Sequence, residues 1–238
     1  MKRSIAISLA LCLSLTACER GKAPSEKLRD SVEQTIVDVA ETAFKEDLQA
    51  GPWAPRNECK DNADAKAFLD NLRMAVTKRD TGALLALTSP DVQLDFGGGA
   101  GHGLLQQNLS AEEHPLWEDL DRLAGLGCAL DDDGNLTLPW IFAQDTKVSD
   151  AFTAMLALGE KVPVYETADP ASPVIEYVAW DFVNLAGEYS QDPMLKVRTR
   201  AGREGFVARD KLRSLVDYRL IARKSNDGWK IGLLVAGD

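Results

Sequence analysis

A chain of 238 residues, 45% hydrophobic and with ordinary glycine and proline content, has the make-up of one large or two small folded domains rather than of a disordered or fibrous protein. Its 27 basic and 37 acidic side chains leave a formal charge of -10, a surface that repels nucleic acid phosphates and has no electrostatic hold on anionic lipid. With two histidines, His102 and His114, and no ligand cluster around either, the sequence points to no metal and no cofactor.

The chain opens on a basic pair, Lys2 and Arg3, then an apolar run from Ile5 to Leu15, then Leu15-Thr-Ala-Cys18. The run is too short for a membrane-spanning helix, which needs about 20 residues. The Leu-Thr-Ala-Cys ending resembles the lipobox of bacterial lipoproteins. That resemblance implies a lipoprotein signal peptide over 1–18, lipidation of Cys18, and membrane attachment through acyl chains. Glu19 after the cysteine implies, on the enterobacterial sorting pattern, the periplasmic face of the outer membrane. The alternative is an ordinary secretory peptide with an incidental cysteine. Loss of Lys2 and Arg3 leaves 25 basic against 37 acidic side chains, a charge of -12.

With Cys12 and Cys18 accounted for, Cys59 and Cys128 remain. In an oxidising compartment they form either a disulfide or two buried free thiols. Neither histidine lies in a motif that activates a thiol, so cysteine catalysis is not expected.

Residues 19–63 read as a tether and an N-terminal helix. Leu28, Val32, Ile36, Val39 and Leu48 recur at helical spacing between Glu26 and Gln49, and Gly51-Pro52 stops the run. A second amphipathic helix is predicted over 64–78 with Phe68, Leu69, Leu72 and Val76 on one face, and a third over 81–88. Ser89-Pro90-Asp91 is a turn signal, and Val92 to Phe96 alternates as a strand.

This helix, Ser-Pro-Asp-Val strand and glycine turn resemble the opening of the NTF2-like or SnoaL-like folds, small α+β domains with a pocket between helices and a curved sheet. In that family pocket acids and histidines are sometimes catalytic, and Asp95 and His102 fall near the corresponding region; with Glu113 they are the only plausible players were the chain a hydrolase or isomerase. The Gly97–Gly103 stretch lacks the Lys-Ser/Thr ending of a Walker loop and the βαβ setting of a dinucleotide fingerprint, so it reads as a wide hairpin or strand-to-helix turn, the alternative being a ligand-contacting loop. A helix is predicted over 112–127, with Trp117 as a core anchor. Asp131-Asp-Asp-Gly-Asn135 has Ala129 where a calcium loop needs its first acid, and reads as a turn. Residues 136–142 read as a strand or a buried irregular segment, and 150–159 as a short helix or extended connector.

From Lys161, short apolar runs are punctuated by polar turns: Val162–Tyr165, Val174–Trp180, Met194–Arg198 and Gly205–Val207, with a helical turn at Arg209–Leu212. The Val-Pro-Val-Tyr start and the Leu195-Lys-Val-Arg to Gly-Phe-Val207 ending resemble a bacterial SH3-like (SH3b) domain, which implies a small antiparallel β-barrel over 161–214. Members of that family often bind cell-wall peptides or act as scaffold modules. The resemblance implies a peptidoglycan peptide or an envelope protein as partner. A recognition surface for it needs exposed aromatics beside polar donors, and Tyr165, Trp180 and Phe206 are the ligand-binding candidates by residue type, each also explained as a large side chain filling a small barrel.

The last stretch, 215–238, reads as a hairpin too apolar to stand in water. It is expected to pair with 92–96 and 136–141 and complete the α+β domain of 64–155. The expected fold class is therefore α+β: a helix-rich first domain with a small antiparallel sheet, plus an SH3-like β-barrel. The expected function is binding or scaffolding without chemistry, the alternatives being the hydrolase or isomerase above and a passive structural or assembly lipoprotein.

Overall fold

The computed structural model describes residues 51–237. The leader, Cys18, the tether and the helix expected over 26–49 lie outside the described residues. Among those described, the chain is mixed α+β, with four helices and two sheets rich in antiparallel pairing. No described helix is long and apolar enough to cross a membrane.

The first lobe starts with a 3-10 turn at Glu58–Asp61 and helix α1, Ala63–Lys78. Asn62 begins α1 by accepting a hydrogen bond from the Ala65 amide at 3.0 Å, and Asp80 does the same for Ala83 at 2.9 Å to begin α2, Thr81–Ala86. Strand β1, Thr88–Gln93, begins four residues before its predicted start, so Ser89-Pro90-Asp91 is edge strand and not a turn. Proline is tolerated there because an edge strand has a side with no partner to donate to. The glycine stretch is a strand-to-helix turn, with Gly98 and Gly101 at φ 99° and 91°, leading into α3, His102–Leu109. Helix α4, Leu116–Ala124, follows, shorter than predicted and started by Pro115.

Strands β2, Ala129–Leu130, and β3, Leu136–Leu138, flank the acidic turn. There Asp131 accepts from the Asn135 backbone and side-chain amides at 2.7 and 2.8 Å. A 3-10 turn at Trp140–Ala143 follows a cis Leu138–Pro139 bond.

The C-terminal hairpin is β11, Arg219–Ser225, and β12, Gly228–Val235. It lies inside the first sheet, whose order is β1-β12-β11-β3-β2, with β1 parallel to β12 and the other pairs antiparallel. Phe68, Leu72, Leu84, Leu105, Trp117 and Leu120 of the helices pack with Val92, Leu136, Leu220, Ile231 and Leu234 of the sheet in one core.

The second lobe is the chain between β3 and β11. Strand β4, Ala154–Ala157, occupies the stretch expected to be a helix or connector. Strands β5, Val162–Tyr165, β6, Val174–Val178, β7, Phe182–Leu185, β8, Met194–Arg198, and β9, Glu204–Ala208, come next. A 3-10 turn at Arg209–Lys211 leads to β10, Leu212–Ser214. The order is β10-β4-β7-β8-β9-β5-β6. All seven strands contribute to a single core, from Met155 and Val162 through Val183 and Leu195 to Val207 and Leu212, which requires the sheet to curl about it. Its two edges, β6 and β10, are not paired with each other, so the predicted barrel is not closed. The edge carbonyl of Ile175 on β6 is met instead by the Arg203 guanidinium at 2.7 Å.

A third cluster joins the lobes. Trp140 and Ile141 pack with Leu156 and Phe182, and Trp53 lies 5.4 Å from the Phe182 ring and 6.4 Å from Trp140. Gly51 precedes this wedge because a Cβ there would meet the Ala179 carbonyl at 1.4 Å.

Candidate functional site

The three side chains expected of an enzyme do not form one site. Asp95 is exposed just beyond β1, and its carboxylate accepts from the Gly99 amide at 2.7 Å, bracing the glycine turn. His102 Nε2 lies 3.3 Å from Thr88 Oγ1. The same hydroxyl lies 2.9 and 3.2 Å from the Leu85 and Leu84 carbonyls. The His102–Thr88 contact ties the start of α3 to β1. Glu113 is exposed in the turn before α4. Among the described residues no hydrogen bond or ion pair joins any two of the three, and the described residues contain no cluster fit to hold a metal ion.

Cys59 and Cys128 are buried and stand at bonding distance, with Cα atoms 5.9 Å apart. They lie on a backbone bridge: Glu58 donates to the Cys128 carbonyl, and Cys128 donates to the Arg56 carbonyl, both at 2.9 Å. Trp117 is a core residue, capped by Arg79, whose Nη1 donates to the Trp117 carbonyl at 2.8 Å.

The expected ligand-binding aromatics separate into two places. Tyr165 and Phe206 are direct cross-strand partners on β5 and β9. Strand alternation sends their neighbours Val164, Gly205 and Val207 into the core and leaves both rings half-buried on the outer face. The row extends over four adjacent strands, Lys196 opposite Phe206, then Tyr165, then the exposed Val174. Gly205 makes the crossing possible, since a Cβ there would come within 2.6 Å of the Tyr165 carbonyl. Trp180 is at the other end of the β5–β6 hairpin, beyond the Val162–Val178 pair, and packs in the cluster between the lobes. Its φ of 40° is held by hydrogen bonds to Trp53 and Gly159, at 3.0 and 2.8 Å. Its position is set by the fold and lies apart from the Tyr165–Phe206 row.

Sequence reasoning missed a second place, a cleft of about 570 Å³ where β10 and the re-entry to β11 face α4. Its floor includes Arg213, whose side chain is only 4% exposed. On β10, Leu212 turns into the core of the second sheet, so Arg213 lies on the opposite face. Its Nη1 pairs with Asp217 Oδ2 at 3.1 Å, Nη2 donates to the Tyr218 carbonyl, and Nε has no partner.

Burial pulls the Arg213 guanidinium below its ordinary pKa, against the charges of Asp217 and Asp119. Burial pushes Asp119 on α4 up, and the charge of Asp217 adds to it. The Tyr218 hydroxyl moves up for the same two reasons, burial first and then the nearby carboxylates. The sequence signal for Arg213 was slight: a lone cation between Leu212 and Ser214, in a stretch that also fits a helical exit turn.

No family model matches this chain, and no curated protein matches it. A solved chain titled "Rd1NTF2_05", a variant with several substitutions, is 13% identical over 75% of this chain and 100% of its own, with a TM-score of 0.30. A likeness that slight carries no argument about the fold.

Proposed function

We propose that the chain is a lipoprotein held by acyl chains on Cys18 at the periplasmic face of the bacterial outer membrane, where it binds cell-wall peptide without chemical conversion. The anchoring half of this reading is supported by the basic start, apolar run and Leu-Thr-Ala-Cys ending. Several acyl chains give firm attachment because each buried methylene adds about 0.8 kcal/mol. The second lobe reads as an SH3-like module that curls without closing, and the first as an NTF2-like α+β layer used as a scaffold.

The observation that carries the binding half is the Lys196–Phe206–Tyr165–Val174 row. Two rigid aromatic faces beside a basic pair suit a short peptide bearing carboxylates. The rings cover its apolar parts at low entropic cost, and Lys196 and Arg198 share the single carboxylate of Glu204, which leaves one positive charge for the acid. Dispersal of Asp95, His102 and Glu113 gives the hydrolase or isomerase reading no support. Co-sedimentation with purified sacculi tests the proposal. Tyr165→Ala/Phe206→Ala should weaken retention about tenfold, the loss of two buried ring contacts, with circular dichroism unchanged. Equal retention of variant and parent would refute the wall-binding reading. Accumulation of unprocessed precursor under globomycin tests the anchor separately.

A further inference from the structure

We propose that the cleft between the lobes is a second binding site, for a small amphipathic carboxylate: one anionic group on an apolar body. The inference goes beyond wall binding and does not rest on it, because the Tyr165–Phe206 row lies on other strands and lines no part of this cleft.

The first support is charge. The lining brings together Arg122, Arg209 and Arg213 against Asp210 and Asp217, with Asp119 behind Arg122 at 3.8 Å, so the cleft is close to neutral in a chain of formal charge -10. Three guanidinium groups gathered in one near-neutral hollow make it the place on an acidic protein where an anion is least repelled.

The second is the state of those cations. Arg213 is taken almost completely out of water while one of its donors stays unmatched. Burying a guanidinium carries a desolvation penalty that an apolar side chain would not. Arg122 on α4 is 61% exposed and reaches Asp119 only at 3.8 Å, leaving its fork for another acid. Arg209 Nη1 donates to Gln191 Oε1 at 2.6 Å, which fixes that guanidinium at the rim. Planar forks of this kind suit a carboxylate.

The third is the apolar wall. Phe152 is 63% exposed and Tyr189 54%, two of the largest exposures of big hydrophobic side chains among the described residues, and both border this cleft. Met155, Leu158 and Val216 continue the wall inward. Exposed rings over a hollow recover their hydration cost when an apolar body fills it. The volume falls within the usual range for small-molecule sites, about 300–1,000 Å³.

Two sources supply this chemistry, a medium-chain fatty acid and a blocked apolar amino acid. Calorimetric titration of the purified chain with decanoate and with N-acetylphenylalanine separates them, and decanamide serves as the uncharged control. Binding of either carboxylate, with decanamide at least about tenfold weaker, supports the site, and the preferred one identifies the source. Arg122→Gln, at an exposed position, and Arg209→Gln, at a half-buried one, should each weaken binding about tenfold. Phe152→Ser should weaken it without altering the preference for acid over amide. Amide resonances of Tyr189 and Arg213 should shift on titration. Tyr165→Ala/Phe206→Ala should bind as the parent does, so failure of wall binding and failure of this site are distinguishable. No binding of either carboxylate, equal binding of decanamide, or indifference to both arginine substitutions would overturn the proposal.

Discussion

Loss of the Cys59–Cys128 link should cost this fold much of its stability, and almost all of the loss should appear in the unfolded state. The two cysteines are 69 residues apart. For a closed loop of that length the chain-entropy relation gives about 4.4 kcal/mol at 25 °C, from about 2.1 cal/mol/K plus 1.5R ln n. The native state has little reason to change, because the same two segments are already joined through Glu58 to Cys128 and Cys128 to Arg56. Both sulfur positions are buried among apolar side chains, so Cys59→Ala/Cys128→Ala exchanges a small buried group for another. Urea unfolding of parent and variant should show a loss of about 3–4 kcal/mol, some of the ideal figure being lost to residual structure. The slope should be steeper in the variant, whose unfolded chain is freer to expand. Thermal midpoints should fall by roughly 6–16 °C for a domain of this size. A loss under about 1 kcal/mol, or a changed near-ultraviolet dichroism of the folded variant, would refute the loop-entropy argument. Two reactive thiols in denatured, exported protein would show that no bond forms.

The remaining predictions concern two glycines and one carboxylate. Gly127 and Gly134 both have positive φ, 77° and 76°, but a Cβ on Gly127 would meet the Arg56 carbonyl at 2.3 Å while one on Gly134 meets nothing within 4 Å. Gly134→Ala should therefore cost only the backbone term of about 1–2 kcal/mol, and Gly127→Ala distinctly more; equal losses in urea would refute the close-approach argument. Asp119 holds its proton more tightly folded than unfolded, so stability falls as pH rises from the ordinary aspartate value through its raised value. Asp119→Asn should remove that fall, gaining on the parent more at pH 7 than at pH 4, and a net loss at pH 7 would refute it.

Much of the element order was legible because burial and periodicity agree locally. Phe68, Leu72 and Val76 mark the inner face of α1, and Asn62 marks its start. Val162 and Val164 alternate with outward Tyr165 as a half-buried strand must. The misreadings arose where distant partners decide. Thr88 to Asp91 has turn composition, yet β12 offers a parallel partner at Ile231 and draws those residues into the sheet. Residues 154–157 have no alternation to read, because Ala-Met-Leu-Ala is buried on both sides between β10 and β7. The aromatic trio was chosen by residue type, and type does not say which end of a hairpin a ring occupies. Tyr165 and Phe206 share a row because of register, while Trp180 lies two residues past the last β5–β6 pair.

The cleft was the least legible feature because it depends on the chain's route. The second sheet is inserted between β3 and β11 of the first, so the backbone leaves one lobe after Trp140 and returns after Ser214. At the return, Arg213 is the last residue but one of the second sheet, and Asp217 and Tyr218 are the first to approach the other. A charge pair confined to that crossing links the ends of two cores that otherwise meet through Trp53, Trp140 and Phe182. Apolar packing at such a junction would stabilise it at least as well, since a buried ion pair seldom outperforms hydrophobic side chains of equal volume. A buried arginine paired with Asp217 and the Tyr218 carbonyl is therefore a costly way to hold this junction, and the proposed carboxylate site would give that cation a use that apolar packing could not.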